Sequence, residues 1–142
     1  MPTAPDREAR VEELEDSVRR LADRLRSLGA PRLARRPTSL GVDDVGPGQS
    51  TADQARELAA DLAALELGVA HRDDPRPPEV PRLAVLSDFA VGDQVAVCGR
   101  QCLEALTAAP LNATVWWRGE QVAVGPVVDG LTQRLRALRL AA

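Results

Sequence analysis

Between residues 6 and 29, Val11, Leu14, Val18, Leu21, Leu25 and Leu28 follow one another at steps of three and four in strict alternation. Side chains spaced in this way lie on one stripe of an α-helix. A stripe sustained for about three heptads must be covered by another helix, from the same chain or from a different one. The charges on this segment are graded as well. Asp6, Glu8, Glu12, Glu13, Glu15 and Asp16 crowd its first half, and Arg19, Arg20, Arg24 and Arg26 its second. This polarity suits the helix macrodipole, and Glu15–Arg19 and Asp16–Arg20 are i,i+4 pairs in the favourable order.

Three more segments carry helical spacing. Ala55, Leu58, Leu62, Leu65 and Val69 form a second seam, opened by Ser50 or Thr51, with Gln54 placed as in a capping box. Val91, Val95, Cys98, Cys102 and Leu106 form a third within 87–109, although Gly92, Gly99 and the run Val95–Val97 weaken its helical signal. Val128, Leu131, Leu135 and Leu138 form the last, after Gly125 and Pro126. Between the third and fourth seams, ATVWWRGEQVAV reads as a β-hairpin. With Gly119–Glu120 as its turn, Trp117 faces Val122, and Trp116 lies on the face opposite Val115, Trp117, Val122 and Val124. Residues 30–50 are rich in Gly and Pro and read as a loop with a short turn at 32–36. HRDDPRPPEVPR, from 71 to 82, cannot continue a helix. The pattern predicts a mainly α protein: an antiparallel helical hairpin over 1–71, a proline-rich linker over 72–82, and a C-terminal unit over 83–142 with two helices flanking a small β-hairpin.

Length and composition narrow the range of functions. A chain of 142 residues with 44% hydrophobic and 27% charged residues suits one soluble domain. Its apolar residues are Ala, Leu and Val for the most part, with 2 Trp, 1 Phe, no Tyr and no Ile. All 18 basic residues are Arg, a bias that a GC-rich bacterial genome explains. The net charge of −3 supplies no basic field for nucleic acid. No stretch reaches membrane-spanning length, and the opening residues resemble no signal peptide. With two cysteines that fit a reducing compartment, the expectation is a cytoplasmic protein.

Few residues suggest chemistry. Cys98 and Cys102 have CxxxC spacing, not the CxxC of zinc and thioredoxin-like sites, and read as buried apolar residues. His71 is the single histidine, beside Arg72, Asp73 and Asp74, with no nucleophile to serve. Asp43–Asp44 and Asp73–Asp74 lack the alternation of a calcium loop. Gly46–Thr51 lacks the lysine of a P-loop. Seven arginines lie between Ser17 and Arg36 against one acid, Asp23. If the first two helices fold back on each other, Arg20 and Arg24 come near Asp53, Glu57 or Asp61 and the charge is paired internally. Alternatively Arg32, Arg35 and Arg36 form an anion or nucleic-acid contact. Trp116 is the indole most open to a partner.

No catalytic residues, metal ligands or cofactors are assigned. The leading expectation is a non-enzymatic interaction or assembly module that meets a protein partner, or itself, through the seam Val11, Leu14, Val18, Leu21, Leu25 and Leu28. A DNA-binding regulator of winged-helix type is the alternative, with nucleic acid disfavoured by the net charge. A small-ligand binding protein is the third reading.

Overall fold

The computed structural model describes residues 4–35 and 49–142. Helix α1 spans Ala4–Ser27, and the single turn α2 spans Ala30–Leu33. Helix α3 occupies Thr51–Ala70, where the Ser50 hydroxyl accepts from the Asp53 amide at 3.0 Å and so caps the helix. A 3-10 turn at Asp88–Ala90 runs into α4, Val91–Leu106. Strands β1 (Thr114–Trp117) and β2 (Glu120–Ala123) pair antiparallel and lead into α5, Val124–Ala141. The fold is mainly α, with the β-hairpin between α4 and α5 as the alternation of residues 114–124 predicts.

All four apolar seams reach the same core. Every seam residue of α3, α4 and α5, together with Leu14, Val18, Leu21 and Leu25 of α1 and Leu28 just beyond it, is at most 5% exposed. Val11 is partly buried at the margin. Packing of the helices differs from the expected scheme. The principal neighbours of α1 are α4 and α5, and those of α3 are α4, α5 and β1. The first two long helices therefore do not form a hairpin; they lie across the core from each other. Arg26 of α1 meets Asp93 at 2.8 Å while Arg7 reaches the Leu106 carbonyl, so α1 and α4 are antiparallel. Arg10 meets Asp129 and Arg24 meets the Ala142 backbone oxygen, so α1 and α5 are parallel.

The proline-rich stretch joins two helices of one core and does not hold a two-helix unit apart. Intervening residues are numerous enough that neighbours in sequence need not be neighbours in space. What selects α4 as the partner of α1 is backbone proximity. A Cβ on Gly99 would lie 2.4 Å from Val18 Cγ1, and one on Gly92 would lie 2.9 Å from Arg26 Cγ. The glycines that weaken the helical signal of α4 are the residues that admit α1. Gly68 does the same for the hairpin, since a Cβ there would stand 1.9 Å from the Trp116 carbonyl oxygen.

The hairpin register also differs from expectation. Trp117 pairs with Glu120 and Val115 with Val122, so the turn is Arg118–Gly119. Both turn residues have positive φ, 52° and 79°, which is the type I′ geometry that matches strand twist. Arg118 is strained by about 1–2 kcal/mol there, partly offset by its guanidinium over the Trp117 ring at 5.2 Å. The shift is by two residues, so the faces are kept: Val115, Trp117 and Val122 share one, Trp116 the other.

Two outcomes follow for stability. Gly68→Ala improves helix propensity by about 1 kcal/mol, yet it should lower stability by about 1–3 kcal/mol because backbone must move. Leu21→Asp, at a position that is fully buried, should leave the chain unfolded. Urea titration followed by circular dichroism reads both, and an unchanged midpoint for Gly68→Ala would contradict the α3–β1 packing.

Candidate functional site

The heptad seam is not a free surface. Leu14, Val18, Leu21, Leu25 and Leu28 are buried against α4 and α5 of the same chain. As an interface they are replaced by the margin of the stripe. Val11, Val18 and Ala22 of α1 and Ala96 and Leu103 of α4 floor an open groove of about 460 Å³. Its rim carries charge of both signs. Glu15 and Glu104 lie toward the end marked by Val11 and Thr107. Arg19 and Arg26 lie toward the end marked by Ala22 and Ala96, with Arg100 between. Arg19 is engaged by Asp16 at 2.5 Å, and Arg26 by Asp23 and Asp93. Among the described residues, Glu15, Glu104 and Arg100 have no ion pair.

The remaining arginines tie helices together, by a scheme other than the expected one. Arg20 pairs with Asp16 at 2.8 Å, and Arg24 donates to the Ala142 backbone oxygen; neither meets Asp53, Glu57 or Asp61. Partial burial raises the Asp16 carboxyl, but hydrogen bonds from Arg19 and Arg20 outweigh it and hold the group below its ordinary value. Asp53 binds Arg56, and Asp61 binds Arg118 and Arg134. Arg32 and Arg35 are exposed on and beside α2, without an ion pair among the described residues. Arg36 lies outside the described residues, as do Asp43, Asp44 and the first three residues of Gly46–Thr51.

Trp116 is not a free anchor. It is half-buried, and its indole N–H donates to the Asp74 carbonyl at 3.2 Å. The indole that borders an open space is Trp117, with Val122 beside it and Val127 and Leu131 of α5 beneath, around a groove of about 380 Å³. Spacing alone places Trp117 on the core side, and the fold leaves its edge uncovered. A separate apolar patch comprises Val80, Val85, Leu86 and Phe89, the last 65% exposed. It lies on the irregular strap before α4, which is pinned by Gln94 to the Ala84 carbonyl and by Arg56 to the Leu86 carbonyl.

Neither thiol is placed for chemistry. Cys98 and Cys102 are free and buried on the inner face of α4. Burial, then the charge of Glu66, pushes both up, Cys102 to about 12. A thiolate is the reactive form, so these groups are protected at neutral pH. His71 caps α3 and pairs with Asp74 at 2.8 Å. Among the described residues no group of three or more His, Cys, Asp or Glu could hold a metal ion, and no helix is long and apolar enough to cross a membrane.

The chain matches no protein-family model, no curated protein and no solved structure. The buried thiols give a direct check on the packing. Both cysteines should react with iodoacetamide at neutral pH only as fast as the protein unfolds. Burial raises the Cys102 thiol from its ordinary value of 9.0 to about 12 in the fold. Stability from this source is complete below pH 9.0 and is lost as pH rises through that window, because only the unfolded chain releases the proton. Cys102→Ala should flatten the alkaline fall in denaturation midpoint. Rapid alkylation of native protein would contradict the burial.

Proposed function

We propose that the protein is a non-enzymatic, cytoplasmic interaction or assembly module, and that it self-associates through the groove between α1 and α4. The observation that carries this reading is the charge gradation along that groove: acids toward one end, arginines toward the other, an apolar floor between them. A second copy turned by a two-fold axis sets its Glu15 and Glu104 toward Arg19, Arg26 and Arg100 of the first. Such an isologous contact is the commonest form of oligomer. Val11, Leu103 and the flanks of Val18 and Ala22 supply the apolar centre. Complementary charges of this sort choose the antiparallel docking over the parallel one more than they add affinity. This reading moves the expected contact through the first helix from its buried stripe to the edge of that stripe.

Sedimentation over a range of concentrations tests the proposal. The wild type should pass from monomer to dimer. Leu103→Asp, at a half-buried groove position, should stay monomeric while retaining its helical signal and its denaturation midpoint to within about 1 kcal/mol. Arg19→Glu should weaken association, and mixing it with Glu15→Arg should restore heterodimers. A wild type that stays monomeric at all concentrations would refute the reading. Retention on DNA with a steep salt dependence, reduced by Arg32→Ala with Arg35→Ala, would instead support the regulator alternative.

A further inference from the structure

A second groove, between the hairpin and α5, has a chemistry of its own. Its apolar surfaces are the Trp117 indole, Val122, Val127 and Leu131, and Arg118 and Arg134 stand at its edge. Both guanidiniums converge on one atom, Asp61 Oδ2, at 3.4 Å from Arg118 and 2.6 Å from Arg134. Two cations share one carboxylate, so a positive charge and several N–H donors are left over. Glu120, opposite Trp117 in the ladder, is exposed and does not line the groove.

Gly130 adds an independent observation. A glycine inside a helix costs roughly 1 kcal/mol relative to alanine, so it needs a reason. The other glycines within the long helices have one, since a Cβ at Gly68, Gly92, Gly99 or Gly125 would stand within 2.9 Å of another element. At Gly130 a Cβ would meet nothing within 4 Å, and its φ is ordinary. Neither packing nor backbone geometry calls for glycine here. Gly130 lines this groove, and a side chain at that position would project into its open space.

We propose that the groove binds a small amphiphilic carboxylate: an apolar body that lies on Trp117 and over Gly130, with its carboxylate against Arg118 and Arg134. The volume, about 380 Å³, is in the range of small-molecule pockets, about 300–1,000 Å³. An apolar lining with a few convergent charged donors fixes such a ligand by its body and orients it by its head. This site uses none of the residues of the α1–α4 groove, so it stands or falls separately from self-association.

Octanoate serves as the probe, with octanol as the uncharged comparison, on the full chain. The two indole N–H resonances in a nitrogen-15 correlation spectrum separate the sites, assigned with Trp116→Phe. Octanoate should shift the Trp117 signal saturably and leave Trp116 nearly still. Octanol should bind about tenfold more weakly, as expected for loss of a charge-assisted contact. Gly130→Leu should fill the floor and abolish the shift in a protein at least as stable as the wild type. Arg118→Gln with Arg134→Gln should bring octanoate down to the affinity of octanol, whether or not Gly130→Leu folds. Absence of a saturable shift, equal binding of octanoate and octanol, or unchanged binding by either variant would overturn the proposal.

Discussion

The fold depends on how closely α1 can approach α4. A core of Ala, Leu and Val offers small contacts, each worth about 0.8 kcal/mol per buried methylene, so the helices must lie near one another to exclude water. Gly99 beneath Val18 and Gly92 beneath Ala22 and Arg26 allow that approach. With α4 in place, the remaining flank of the α1 stripe is covered by α5, and α3 closes the core from the far side against α4, α5 and β1. Replace the glycines by anything larger and the stripe of α1 loses its cover on one side.

Arginine does at the surface what side-chain volume does not do in the core. Arg10 donates from Nε and Nη2 to the two carboxylate oxygens of Asp129, at 3.1 and 2.7 Å, and joins α1 to α5. Arg7 donates to the carbonyls of Leu106, the last residue of α4, and of Ala109 just beyond it, and so joins the start of α1 to the end of α4. Arg134 links α5 to α3, and Arg56 links α3 to the turn before α4. Exposed pairs contribute little stability individually, about 0–1 kcal/mol, but a planar fork with several donors fixes direction. The basic second half of α1 is thereby largely committed to partners within the chain.

Two of the open grooves differ in chemistry. The α1–α4 groove and the hairpin–α5 groove lie on opposite sides of the four-helix core, because α4 and α5 each touch both α1 and α3. The first has an extended apolar floor with charges of both signs, which suits a protein surface. The second is short, with an indole wall and cations only at its edge, which suits a small anion. An occupant of one would leave the other free.

Residue spacing alone established the helices, the hairpin and the faces each buries: all four seams are in the core, and Val115, Trp117 and Val122 share a face as alternation requires. The buried thiols were equally legible, since Cys98 and Cys102 fall on a seam. Spacing also marked α1 as a helix in need of cover. It could not say which helix covers it, because seams of Leu, Val and Ala are chemically alike and every one fits every other. That choice was made by glycines whose meaning is visible only when a second backbone stands beside them. For the same reason the seam residues, read as an interface, became core, and the open surfaces arose at its margins. Trp117, placed inward by alternation, borders an open groove against α5, because the packing of the hairpin on that helix leaves its edge uncovered.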